Sequence, residues 1–201
     1  MLVKASSITN LTDARYFAAK EVAFLGFALE ESTDGYLDPM YMKAIREWVH
    51  GPKIVGEFDR APAPYVREAA AFFGLDAVQV TNPDVLPGLQ DIETILCVLG
   101  TDDAASIEPL LQQNKPFVTY FLLDFSMPGL SATLLGTQAD AWKNLFARFP
   151  VLLDISLPTE NLPGMLQALR PAGLALRGGA EERVGIKSFD EVDAIFDCLD
   201  T

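Results

Sequence analysis

Short apolar or β-branched runs recur along the chain, and each is followed by a longer stretch with helical spacing of its apolar positions. The pattern predicts strands over 2–5, 22–29, 53–58, 76–80, 92–99, 117–123, 151–153 and 173–176. Between them it predicts helices from Asn10 or Thr12 to about Lys20, over 39–50, from Pro62 or Pro64 to Phe73, from Asp102 or Asp103 to about Asn114, and over 139–148, 158–169 and 187–199. The boundary residues have mechanisms. Asn10, Thr12, Asp102 and Asp103 can accept the free N–H groups of a first helical turn, as can Ser156 or Thr159 before the helix over 158–169. Pro39 suits a first turn, and Gly74 suits a helix end that needs a left-handed residue. The stretch after residue 80 is too short and too rich in Pro and Gly for a long helix, and 125–137 reads as a loop.

Strands separated by helices imply parallel pairing through right-handed crossovers. Eight such units favour a closed (β/α)8 TIM barrel over an open doubly wound sheet. Nothing splits the chain, so residues 1–201 are expected to form a single barrel domain.

Composition narrows the function. Fifteen Lys and Arg against 28 Asp and Glu give a net charge of −13, which argues against nucleic acid, whose binders need a basic surface. It also argues against a polybasic membrane-surface protein. No apolar run approaches the roughly 20 residues of a spanning helix, and the N-terminus lacks the apolar core of a secretory signal. A soluble, cytoplasmic protein is expected. Cys97 and Cys198 follow no metal or redox spacing, and one histidine, His50, leaves little for a His-based metal site or a Ser/His/Asp triad. Trp48, Trp142 and the 13 Phe, with Phe72-Phe73 as an example, read as packing residues.

With that order established, segments along essentially the whole chain resemble the phosphoribosylanthranilate isomerase family. The run from Val3 to Ala14 (VKASSITNLTDA) is similar to the family's opening, Lys-Ile-Cys-Gly-Ile-Thr followed by an Asp-Ala helix start. Leu25-Gly26-Phe27 matches its second strand, Lys53–Phe58 its third, and Gly74–Val80 its fourth. Leu122-Leu123-Asp124 matches the end of the sixth, and Arg170–Leu174 with Gly178-Gly179 is similar to the eighth. The resemblance implies a barrel that performs an Amadori rearrangement of N-(5-phosphoribosyl)anthranilate in tryptophan biosynthesis, by acid–base chemistry with no cofactor. It makes Asp124 the general acid and puts Ser6 where the family carries its general base, a cysteine. It puts Gln79 at the substrate, and the phosphate at glycine-rich turns after strands seven and eight, where Gly178 and Gly179 lie beside Arg177.

Several positions depart from that pattern. A thiol has a pKa near 8.5 and is readily tuned, whereas a hydroxyl holds its proton almost as tightly as water, at about 15.7. A general base works best with a pKa near the working pH, so Ser6 does not inherit the role of a thiol. Ser7 replaces a glycine, Gly35 falls at an arginine position, Thr81-Asn82 replace His-Gly, and Ala175 replaces an aspartate. Asp154-Ile155-Ser156 stand where the family has Ala-Gly-Gly, which sets a carboxylate against a dianionic phosphate. Arg177 reads equally as an anion ligand or as a strand-end arginine paired with Glu181 or Asp154. Glu30, Glu31, Glu57, Asp59, Asp124 and Asp154 fall near strand ends, with only Lys4, Arg60 and Arg177 as nearby cations.

Three readings follow. The chain is an isomerase of this family with a rearranged site, taking a small phosphorylated ligand. Alternatively it is a non-catalytic barrel acting as a binding or partner protein, or a divergent enzyme with an acidic, cation-favouring mouth. No residue spacing marks a dedicated metal site, and periodicity assigns no oligomeric state.

Overall fold

The computed structural model describes residues 1–33, 35–127, 129–155, 161–177, 181–183 and 186–199. It confirms the (β/α)8 reading. The chain runs β1 (Leu2–Ser6), α1 (Leu11–Ala19), β2 (Phe24–Ala28), α2 (Pro39–Trp48), β3 (Lys53–Phe58), α3 (Ala63–Phe73), β4 (Ala77–Val80), a 3-10 segment (Pro83–Gly88) and β5 (Glu93–Leu99). It continues through α4 (Ala104–Asn114), β6 (Tyr120–Phe125), α5 (Ala139–Arg148), β7 (Val151–Ile155), α6 (Leu162–Leu169), β8 (Gly173–Arg177), β9 (Glu181–Arg183), β10 (Ile186–Lys187) and α7 (Asp190–Leu199). Strands β1 to β8 pair in sequence order and close. Closure comes from β1 lying parallel to β8, from Leu2 opposite Gly173 through to Ser6 opposite Arg177.

The caps act as their side chains require. Asn10 accepts the Asp13 N–H at 2.9 Å, Asp38 the Met40 N–H at 2.8 Å, and Asp103 the Ala105 N–H at 3.0 Å. Gly74 ends α3 in the left-handed region at φ 59°, where a residue without Cβ is unstrained. The Ser156, Pro158 and Thr159 readings lie outside the described residues.

Several boundaries differ from expectation by a few residues, most clearly at the sixth strand and the closing helix. The sixth strand begins at Tyr120, because Lys115–Phe117 form a 3-10 turn around Pro116, which has no N–H to give a ladder. The strand extends two residues beyond 123, so Asp124 occupies a ladder rung. The closing helix begins at Asp190 rather than 187, since Ile186–Lys187 pair with Glu181–Arg183 and the Ser188 hydroxyl accepts the Asp190 N–H at 3.2 Å.

Two apolar layers result. Phe24, Val55, Ala77, Ile95, Leu122, Leu152 and Ala175 fill the barrel. A larger cluster lies between sheet and helices, where Trp142, fully buried, meets Phe125 edge-on at 5.2 Å. Trp48 and Phe72, expected inside, are 68% and 63% exposed. Helix α3 turns Val66 and Ala70 inward, and Phe72 sits about 200° around the helix from Ala70. Helix α2 buries Met42 and Ile45, leaving Trp48 on its outer flank.

Candidate functional site

Alternation along the strands sends every second side chain into the barrel, and at the C-terminal ends of β1, β3, β4, β6, β7 and β8 these are polar. On β1, Lys4 and Ser6 share the inward face, and both are buried. The fully buried Lys4 ammonium donates to the Ser6 hydroxyl at 2.8 Å and pairs with the Glu57 carboxylate from β3. Glu57 also accepts the Ser7 N–H and the Ser7 hydroxyl, each at 3.1 Å. Ser7 holds a left-handed backbone at φ 53°, and its bonds to Glu57 hold that uncommon conformation in place. Gly26 makes the pair possible. A Cβ there would coincide with the Glu57 carboxylate and lie 2.7 Å from Lys4 Nζ.

Across the mouth, Asp124 and Asp154 are direct partners in the β6–β7 ladder. Both face one guanidinium: Arg177 Nη2 lies 3.3 Å from Asp154 Oδ2 and 3.7 Å from Asp124 Oδ2. Asp124 Oδ1 accepts the Ser126 N–H at 2.9 Å, which anchors the start of the following loop. Burial pushes the Asp154 carboxyl above the ordinary aspartate range, and the Asp124 charge adds to this, while Arg177 and then Lys4 pull it back. For Arg177, desolvation works against the cation, but the charges of Asp154 and Asp124 outweigh it and raise its pKa.

Ser6 lies opposite Arg177 in the β1–β8 ladder, so Ser6, Asp124 and Arg177 converge on one mouth as the sequence implied. Gln79, paired with Glu57 in the β3–β4 ladder, shares the inward face of Ala77. Its Oε1 is buried without a hydrogen-bond partner among the described residues, which leaves an acceptor for a donor from outside the fold. Gly178 and Gly179 lie outside the described residues. Of the two readings of Arg177, the geometry supplies the pair with Asp154, yet the side chain remains 58% exposed.

The excess of carboxylates is mostly answered within the fold. Glu57 is held by Lys4, and Asp154 by Arg177. Glu30 accepts backbone N–H groups from Asp59, Arg60 and Ala61 at 2.8, 3.0 and 3.1 Å, which lower its pKa against the opposing effect of burial. The acidic mouth expected from the sequence therefore has its two nearest cations, Lys4 and Arg177, committed to Glu57, Asp154 and Asp124. Among the described residues no group of three His, Cys, Asp or Glu is gathered as a metal site would need.

Sequence reasoning gave Lys4 and Glu57 no structural role, because they are 53 positions apart. The available signal was period two: Lys4 is two residues before Ser6 on one strand face. Cys97 was also passed over. It points into the barrel below the mouth, where burial, with the Asp124, Glu57 and Asp154 carboxylates, pushes its thiol up to about 12. A thiol so hard to ionise is poorly suited to act as a general base.

No protein-family model matches the chain. Individual proteins do. An N-(5'-phosphoribosyl)anthranilate isomerase of Gloeothece citriformis is 30% identical over 213 residues, covering 99% of this chain and 94% of that protein. The isomerase of Maridesulfovibrio salexigens is 26% identical over 201 residues, covering 98% and 97%. The crystal structure of phosphoribosyl anthranilate isomerase from Thermus thermophilus is 26% identical with a TM-score of 0.75, covering 100% of this chain and 98% of that one. The Thermotoga maritima structure, at 22% identity and a TM-score of 0.76 over the same shares, matches in fold. Full-length coverage, the identity to the Gloeothece protein and a shared closed barrel lead to one conclusion: the chain belongs to the phosphoribosylanthranilate isomerase family.

Proposed function

We propose that this chain is an aldose–ketose isomerase acting on N-(5'-phosphoribosyl)anthranilate, the compound its relatives are named for, in tryptophan biosynthesis. The observation that carries this reading is Asp124. It occupies the penultimate rung of β6, its carboxyl is 17% exposed toward the mouth, and Arg177 approaches it at 3.7 Å. Catalytic groups of (β/α)8 enzymes sit at these strand ends. Asp124 is assigned as the proton donor to the sugar ring oxygen, the step that opens the aminoaldose. The exposed guanidinium of Arg177 and the free acceptor of Gln79 are assigned to the phosphorylated ligand's anionic and hydroxyl groups.

A second reading, a non-catalytic barrel that binds a small molecule, is favoured by Ser6. Its hydroxyl accepts from an ammonium and has no basicity to offer near neutral pH.

The deciding experiment follows the fluorescence of phosphoribosylanthranilate generated in place, with the full chain beside Asp124→Asn. Loss of an acid–base group costs about 10²- to 10⁴-fold, and that fall is expected in the variant. A folded wild-type chain without turnover would leave the binding reading.

A further inference from the structure

This inference rests on the isomerase reading above and asks which group removes the proton from the substrate's C2. Ser6 is unsuited as a hydroxyl, and Cys97 by burial among carboxylates. Glu57 is already engaged by Lys4 and by both donors of Ser7. Asp154 remains. It projects into the barrel two residues after Leu152, is buried, and adjoins Asp124 in the next strand.

We infer that Asp154 is the general base of this barrel, working beside Asp124 in place of the thiol its family uses. The steps balance with these two carboxyls alone. Asp124 gives its proton to the ring oxygen as the C1–O bond breaks, and the nitrogen lone pair forms the C1=N iminium. The Asp154 carboxylate takes the proton from C2. The C–H electron pair becomes the C1=C2 bond, and the C=N pair returns to nitrogen. Asp154 then returns its proton to C1 while Asp124 takes the proton of the C2 hydroxyl, leaving a ketone at C2. Both carboxyls end in their starting states, and no oxidant or cofactor enters.

The surroundings suit the task. Burial makes the carboxylate a stronger base than one in water, and Arg177, nearer to Asp154 at 3.3 Å than to Asp124 at 3.7 Å, favours the Asp154 charge and leaves the one proton of the pair to Asp124. The charged and titratable groups around Asp154 are Asp124 on β6, Arg177 on β8, Lys4 on β1, Glu57 on β3 and Cys97 on β5.

The test uses the full chain with phosphoribosylanthranilate generated in place, comparing wild type, Asp154→Asn, Asp154→Gly and Asp124→Asn. Asp154→Asn should lower kcat by about 10²- to 10⁴-fold, with a primary isotope effect from substrate deuterated at C2. Added formate should restore turnover in Asp154→Gly in proportion to its concentration, and should not do so in Asp124→Asn. A merely structural Asp154, holding Arg177, would raise KM and give no rescue; that result overturns the inference. So does an active wild type with Asp154→Asn within about threefold of it, since a general base contributes far more. If Asp154→Asn does not fold, the wild-type kcat/KM profile decides, because its rising limb should lie above the ordinary aspartate value of about 3.9. A limb at that value counts against Asp154. An inactive wild type removes the isomerase reading itself, and the inference with it.

Discussion

The Lys4 ammonium donates a 2.8 Å hydrogen bond to the hydroxyl of Ser6, its neighbour on the inward face of β1. That contact turns the Ser6 oxygen into an acceptor for a buried cation. A thiol at the same place would lie beside the same cation, which favours the thiolate.

Two substitutions therefore separate. Ser6→Ala should cost less than about tenfold in kcat/KM, because Ser6 is no general base, whose loss costs about 10²- to 10⁴-fold. Ser6→Cys should raise turnover at neutral pH by about tenfold or more, since a thiolate is then available as a base. Steady-state kinetics at pH 7 to 8 measures both, and a Ser6→Ala loss of a thousandfold would return the base to Ser6.

The Lys4–Glu57 pair is a folding element as well. Gly26→Ala would drive a methyl into the Glu57 carboxylate, and Glu57→Gln would leave the fully buried Lys4 ammonium unpaired. Breaking a buried pair from one side costs about 3–5 kcal/mol. Urea midpoints should fall accordingly for both variants, whereas substitution of the exposed Arg60, whose contact with Asp59 is 3.5 Å, should move the midpoint hardly at all.

Asp154 ties stability to pH. Its native pKa is raised by burial, so between the ordinary aspartate value of about 3.9 and the raised value the native state holds more protons than the unfolded chain. Stability from this group is then greatest at the low end of that window and falls as pH rises through it. Urea unfolding from pH 4 to 7 should show that downward contribution in wild type and lose it in Asp154→Asn.

Cys97 should resist a thiol reagent at pH 8 in the native protein, because its thiol is pushed up to about 12 and the thiolate is the reactive form. Labelling by a chromogenic disulfide, before and after denaturation, reports it. Rapid modification of Cys97 in the folded chain would contradict its half-buried place beside the carboxylates inside the barrel.

The barrel's sequence of strands and helices was legible because each element carries its own local signal. Lys53–Phe58 and Ala139–Arg148 match the expected spans in full, and Asn10 and Asp103 cap the helices they precede. Boundaries slipped where a local signal was ambiguous. The apolar run from Phe117 continues into β6 without a break in hydropathy, and only the turn around Pro116 shows where pairing begins. Trp48 and Phe72 misled because bulk apolar character says nothing about which side of a helix faces the core.

At the site, sequence alone determined which chemistries were on hand: a carboxyl at position 124, a hydroxyl at position 6, an arginine at 177, and one histidine in the chain. The tertiary structure decided which of them meet. Barrel closure sets Ser6 beside Arg177, the β6–β7 register sets Asp124 beside Asp154, and the missing side chain of Gly26 admits the Lys4–Glu57 pair. The physical reason is range. Propensity, capping and periodicity act over a few neighbouring residues, while the pairing of charges inside a barrel depends on strand register around the whole ring. That register is set by packing among segments up to 171 positions apart, the separation of Ser6 from Arg177 where the ring closes.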